Sequence, residues 1–330
     1  MSHSIEQMPK IELHCHLDGS LDLANTRELL AERGEEYDIK RLAHLMQVDD
    51  DCRSLADYLE RFTLPNHCLQ DAEGLKSSAY WLARNAASEN VKYLEVRFAP
   101  AFSMGQGLST NQIIESVEAG LAKARAEFDI ETGIIVCMMR GFVDDENNLK
   151  MVRAAREMLG SGVVACDIAG DEDAHPMALQ TELFNEVKRL GMPYTIHAGE
   201  TGNIQNVRDA IALGTKRLGH GIAMANDVDL MNYCSSHKIG VELCPTSNIQ
   251  TRAYDDIKDC PISIFMERGI PVSLNTDNRT VSNTNLTKEF NKVVDAFGFD
   301  EEQLRTIYIN SVEMSFASDE VKNNLINKWR

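Results

Sequence analysis

The sequence predicts an α/β fold: eight parallel strands closed into a (β/α)8 TIM-type barrel, with an extra helical lid inserted after the first strand. Three observations predict it. Eight short runs rich in Val, Ile, Leu and Tyr recur along the chain with helical patterns between them. Their inner positions are apolar in succession, as strands buried on both faces require. Polar residues that can carry chemistry fall at the C-terminal ends of these runs, the rim where barrels of this kind place their sites. A doubly wound open sheet is the competing architecture. No G-x-G-x-x-G follows a strand and no G-x-x-x-x-G-K-[ST] occurs, so nothing supports a dinucleotide or P-loop site.

The expected strands cover residues 10–14, 91–97, 133–139, 163–168, 193–197, 217–220, 239–244 and 271–276. Between them, residues 111–127 carry Ile113, Ile114, Val117 and Leu121 on one helical side, and 207–213 runs into Gly214 as a C-terminal cap. There is no internal repeat, low-complexity segment or linker, so residues 1–330 are expected to form one domain. The interval between the first two strands is far longer than one helix requires. Residues 20–90 are therefore expected to hold a helical insertion. Within it, Leu55, Tyr58, Leu59 and Phe62 follow i, i+3, i+4, i+7 spacing. An extra helix packed on the barrel accounts for that stripe; so does a lid that closes over a substrate and excludes water.

The first strand carries the most informative residues. His14 and His16 are two apart and share one face, while Leu13, Cys15 and Leu17 take the other. Two neutral imidazoles fill a core poorly and hold a borderline metal such as zinc well. Later strand ends supply His197-Ala198-Gly199-Glu200, Gly219-His220-Gly221 and Asn275-Thr276-Asp277-Asn278. Four histidines and an aspartate on one rim predict a metal site with His14, His16, His197 and Asp277 as ligands and a position left for water. No strand ends in a lysine that could bridge two metals, so one zinc ion per chain is expected. Such an ion lowers the pKa of its water to about 7. His220 is placed to take that proton, and Asp277 to orient the water while touching the metal. Glu200 reads either as a helix N-terminal carboxylate or as a proton carrier to the substrate. Gly170, after Asp167-Ile168-Ala169, reads as a strand-to-loop turn or as a backbone amide that a ligand can approach.

Composition narrows the function classes. The 330 residues hold 33 Lys and Arg against 51 Asp and Glu, a formal net charge of -18. That balance leaves no basic face for nucleic acid. No run approaches the roughly 20 apolar residues of a membrane span, and the first residues lack an apolar signal core. The eight cysteines form no C-x-x-C pair and several lie in apolar runs, as in a reducing compartment. A soluble cytoplasmic protein is expected, a monomer or weak homo-oligomer.

The motifs His14-Cys15-His16-Leu17-Asp18-Gly19, Asp167-Ile168-Ala169-Gly170-Asp171-Glu172, His197-Ala198-Gly199-Glu200, Leu218-Gly219-His220-Gly221, Cys244-Pro245-Thr246-Ser247-Asn248 and Asn275-Thr276-Asp277 together resemble the adenosine deaminase family of amidohydrolase-type enzymes. The resemblance spans about residues 8 to 320. The H-A-G-E and A-G-D-E pieces are its most specific parts. It implies zinc-dependent hydrolytic deamination of adenosine and 2'-deoxyadenosine, a purine-salvage reaction. By analogy Glu200 would protonate purine N1, His220 would support the attacking hydroxide, Gly170 would hold N3, Asp18 would hold the ribose 5'-hydroxyl, and the metal ligand His16 would border the substrate. Many family members carry a second Asp after the strand-eight Asp, contacting N7. Here that residue is Asn278, whose amide donates without needing a proton. Two other readings use the same residues: deamination of adenine, a 5'-modified adenosine or aminodeoxyfutalosine, and a non-catalytic purine-binding protein on the same scaffold. Asp18 would be idle with free adenine, and a non-catalytic relative is expected to have lost a metal ligand or Glu200.

Overall fold

The computed structural model describes residues 4–49, 52 and 58–329. Eight strands follow the chain: β1 Lys10–His16, β2 Val91–Phe98, β3 Glu131–Met139, β4 Val163–Ala169, β5 Ile196–Ala198, β6 Arg217–His220, β7 Gly240–Leu243 and β8 Val272–Leu274. They pair in parallel in two four-stranded sheets, β1-β2-β3-β4 and β5-β6-β7-β8. Two seams join the sheets. Cys15 bridges to Asp277 and Cys166 to Tyr194. At the first seam His16 N donates to Asp277 O at 2.7 Å and Asp277 N to His14 O at 2.9 Å; at the second, Cys166 N donates to Pro193 O at 2.9 Å and Thr195 N to Cys166 O at 3.0 Å. The barrel is the TIM type, and the first seam runs through the residues expected to bind metal.

Helices cover the outside because parallel neighbours need long return connections. Thr110–Glu127 is set by a Ser109–Gln112 capping box and buries Ile113, Ile114, Val117 and Leu121. Ile204–Ala212 starts three residues before the expected position, because Asn203 caps it through Gln205 N; Gly214 then follows at φ 93°. β1 extends two residues past the expected end, and β5 is shorter than expected, with 193–195 reduced to the seam contacts. Between β1 and β2 lie the helices Leu23–Glu32, Ile39–Met46, Thr63–Cys68 and Ala72–Ser88.

The barrel interior departs from the usual filling of branched aliphatic side chains. Glu95, Arg97, Asp167, Arg217 and Glu242 are all at most 2% exposed. Arg97 bridges Asp167 Oδ2 at 2.7 Å and Glu242 Oε2 at 2.8 Å, and Arg217 bridges Glu242 and Glu95. Buried charges persist only when paired, and these form a platform directly below the rim.

Candidate active site at the barrel rim

The alternation of β1 turns His14 and His16 to one side, and the β8–β1 seam brings Asp277 against them. Asp277 Oδ1 lies 3.4 Å from Nε2 of both histidines. From β5, His197 places its Nε2 3.3 Å from His16 Nε2. The buried His14 Nε2 has no hydrogen-bond partner in the protein. Ring nitrogens turned toward one another and toward a carboxylate fit a cation between them. One ligand atom each from His14, His16 and His197 falls within 4.8 Å of the others, as do those of His14, Cys244 and Asp277. Burial and the nearby Asp277 charge push the Cys244 thiol well up, which keeps it protonated.

The platform orients these rings. His14 Nδ1 lies 2.7 Å from Glu242 Oε2, and His197 Nδ1 lies 2.8 Å from Asp167 Oδ2. A carboxylate on Nδ1 draws the proton there and frees the Nε2 lone pair. Burial, with the Arg97 and His197 charges, lowers the His14 pKa to about 4; burial likewise holds His16 well below its usual value. Burial would raise the Asp277 carboxyl, but the imidazoles of His14, His16 and His220 around it hold it well below the usual range. Neutral imidazoles and an ionised carboxylate are the states a divalent cation requires.

His220 and Glu200 face this cluster. The His220 ring centroid is 4.8 Å from that of His14, and its Nε2 is 3.6 Å from Glu200 Oε2. Burial alone would lower its pKa, but the carboxylates of Glu200, Asp277, Glu172 and Glu242 raise it. Its Nδ1 lies 3.2 Å from Asn248 Nδ2. His220 and Asp277 adopt left-handed backbone at φ 63° and 60°, an unfavourable conformation that clusters at functional sites. Glu200 precedes the Asn203 cap of the next helix, so the helix-terminus reading does not describe its position.

Asp18 has one carboxylate oxygen buried without a partner, and burial raises its pKa to about 6. Gly170 has φ 106°, and a Cβ there would sit 2.7 Å from the Arg140 carbonyl oxygen, so only glycine fits at that strand end. Asn278 is buried. Its Nδ2 donates to Tyr58 Oη at 3.0 Å, and Tyr58 Oη lies 2.8 Å from Ser282 Oγ. Tyr58 therefore reaches the rim from the insertion. Phe62 packs beside it with Val48, Cys52 and Val281, whereas Leu59 is 47% exposed. Leu55 lies outside the described residues.

A model of the family described as adenosine deaminase matches residues 9–329. The chain belongs to the adenosine deaminase family. Adenosine deaminase of Clostridium perfringens (strain ATCC 13124) is 42% identical over 322 residues, covering 96% of this chain and 97% of that one. Adenine deaminase from Arthrobacter aurescens has the same fold, with a TM-score of 0.88 at 23% identity over 97% of this chain and 98% of that one. So does an amidohydrolase from Burkholderia ambifaria with bound zinc, with a TM-score of 0.86 at 21% identity over 98% of this chain and 90% of that one.

Against this family background, the residues that escaped the sequence reading are the orienting ones: Arg97, Asp167 and Glu242 as a set, and Glu172. A signal existed. Glu95 and Arg97 stand two apart in an otherwise apolar strand, so both charges share a face. Nothing in the sequence indicated that this face is the barrel interior. No described helix is long and apolar enough to cross a membrane.

Proposed function

We propose that this chain hydrolyses adenosine and 2'-deoxyadenosine to inosine and 2'-deoxyinosine with release of ammonia. The observation that carries the reading is the placement of Glu200 and His220 beside the cluster of His14, His16, His197 and Asp277, in a chain that matches the family almost end to end. We assign one zinc ion to those four ligands. When bound, it supplies Lewis acidity that brings a water to hydroxide near neutral pH.

The chain's own groups do the rest. His220, its pKa raised by the surrounding carboxylates, accepts the proton of the attacking water and keeps it within reach of the leaving group. Asp277 orients that water. Its Oδ2 accepts from Ser247 Oγ at 2.5 Å, which fixes the carboxylate plane. Glu200 gives a proton to purine N1, so that C6 accepts the oxygen and the amino group departs as ammonia. Gly170 N–H donates to N3, Asp18 holds the ribose 5'-hydroxyl, and the Asn278 amide donates to N7. The insertion of about residues 20–90 covers the nucleoside through Tyr58, Leu59 and Phe62, and it belongs to one hydrolase domain with the barrel. The protein works on a small purine nucleoside, without nucleic acid or membrane, in the cytoplasm.

The test offers the purified protein adenosine, 2'-deoxyadenosine, adenine and 5'-modified adenosines and follows the ultraviolet change on loss of the 6-amino group. Turnover of adenosine is expected. Exclusive turnover of adenine would remove the role given to Asp18, and no turnover with metal bound would leave a binding protein.

A further inference from the structure

Glu172 is 4% exposed, and no cation forms an ion pair with it among the described residues. A buried carboxylate without a contacting cation needs several donors. Its donors come from one place. Oε2 accepts from Gly199 N at 2.8 Å; Oε1 accepts from Thr201 N at 2.8 Å and from Thr201 Oγ1 at 3.0 Å. These amides belong to the residues immediately before and after Glu200.

We infer that Glu172 is a positioning residue that clamps the turn carrying Glu200; this rests on the reading of Glu200 as the acid. Each end of the peptide pair around Glu200 is tied to one oxygen of a single rigid carboxylate. That restricts rotation of the Glu200 backbone while leaving its side chain free to face His220. The clamp is itself anchored. Asn206 Nδ2 donates to the Glu172 carbonyl at 3.0 Å, and Asn206 Oδ1 accepts from Met177 N at 2.8 Å. The Glu200 turn is held from the far side as well, because Ala223 N donates to Gly199 O at 3.0 Å. A Cβ on Gly199, at φ 78°, would meet Val207 Cγ2 at 2.4 Å, so the turn has no room to drift. Arg140 supplies the compensating charge without a contact. Its guanidinium is buried, donates to His197 O at 2.6 Å and has Nε and Nη1 without partners, while Glu172, Asp167 and Glu200 face it electrostatically.

The experiment is a cycle of Glu172→Gln, Glu200→Gln and the double variant in the zinc-loaded enzyme, with kcat, KM, zinc content and Tm measured for each. In Glu172→Gln an amide NH2 replaces one acceptor and faces a backbone N–H. The turn slips, and kcat is expected to fall about 10- to 100-fold, as displacement of a catalytic group by about 1 Å does. KM and zinc content are expected to stay within twofold. In the Glu200→Gln background the same change is expected to leave kcat within twofold while lowering Tm as before, because the residue acts through Glu200. Equal losses of kcat in both backgrounds would overturn the clamp and leave the acid in place. Normal kcat in Glu172→Gln with a lowered Tm would overturn it too. Near-normal turnover of Glu200→Gln alone would overturn the acid reading and the clamp together. Should Glu172→Gln fold poorly, Thr201→Val removes the Oγ1 donor, which lies 3.0 Å from Glu172 Oε1 and 2.9 Å from Asp173 Oδ1, and leaves both backbone amides of the clamp in place. It is expected to lower kcat about two- to fivefold, again only when Glu200 is present; an unchanged kcat there would overturn the clamp.

Discussion

The rim cluster and the insertion above it arise from the chain in opposite ways. His14, His16, His197 and Asp277 come from three separate stretches of the sequence, yet their side-chain atoms meet at 3.3 to 3.4 Å. Tyr58, Leu59 and Phe62 lie within one helical turn or so of each other, yet Tyr58 is 2% exposed and Leu59 is 47% exposed. A barrel delivers its strand ends to one circle, so a histidine at a strand end has its destination fixed by the sheet. A helix delivers a stripe only while its period holds. Here residues 60–62 tighten to a 3-10 turn before Thr63–Cys68, and three residues per turn shifts the phase of the apolar spacing.

The largest expected effect tests the cluster side of that comparison. His197→Ala is expected to lose both activity and metal, and elemental analysis of the active wild-type protein is expected to give one zinc per chain. Two metals per active chain, or an active preparation without metal, would break the assignment. The platform below is expected to matter less but measurably. Glu242→Gln removes the charge beside His14 Nδ1 and is expected to weaken metal affinity about 10- to 100-fold, read by competition with a chelator; unchanged affinity would show that this hydrogen bond does not tune the ring for the metal.

Next comes Glu200, which must be distinguished from a ligand. Glu200→Gln is expected to keep its zinc and lose about 10²- to 10⁴-fold in kcat. A glutamine variant with near-normal turnover would show that its 3.6 Å approach to His220 is incidental.

Legibility follows the same divide. The barrel could be read because each strand is a local apolar run, and His14, His16, His197, Glu200, His220 and Asp277 could be read because they end those runs. Asn203 shows where local signals were overlooked: it caps the helix three residues earlier than the apolar pattern indicates. Glu242 was not legible, and Glu172 was legible only as part of a motif and not in its role, because a carboxylate inside an α/β chain looks the same whether it meets water or two backbone amides. Tyr58 was legible as an apolar position and not as a hydroxyl that meets Asn278, since that contact joins residues 220 apart.

That contact supports a smaller, sharper prediction. The Asn278 amide has two protons, and one already goes to Tyr58 Oη. The other is proposed for purine N7. Replacing N7 by CH, as in 7-deaza-adenosine, would leave a buried donor unpaired at about 1–3 kcal/mol, which is roughly a 10- to 100-fold poorer substrate. Asn278→Ala is expected to treat both purines alike. Asn278→Asp is expected to stay active at low pH and to lose activity as pH rises, because only the protonated carboxyl donates. Tyr58→Phe removes the anchor and is expected to reduce the preference for adenosine over its 7-deaza analogue severalfold. Equal handling of the two substrates by the wild-type protein would end the N7 assignment.

The smallest effect separates Phe62 from Leu59. Phe62 is half-buried against Val48, Cys52, Tyr58 and Val281, so it links the insertion to the loop after β8. That loop is tied down by the hydrogen bond from Val48 N to Val281 O at 2.9 Å. Phe62→Ala is expected to lower Tm by a few degrees and raise KM for adenosine several-fold, with KM the larger effect. Leu59 is 47% exposed, so Leu59→Ala removes less buried area than Phe62→Ala and is expected to lower Tm by less. Any rise in its KM must then come from contact made only when nucleoside is bound. Burying one leucine side chain contributes about 1.5–3 kcal/mol when complete, and partial cover by a ligand gives a rise of roughly three- to tenfold. A Leu59→Ala protein with unchanged KM would place that residue outside the lid. If Phe62→Ala also lowered only Tm, the spacing of 58, 59 and 62 would describe packing on the barrel, and exclusion of water from the nucleoside would fall to Tyr58 alone.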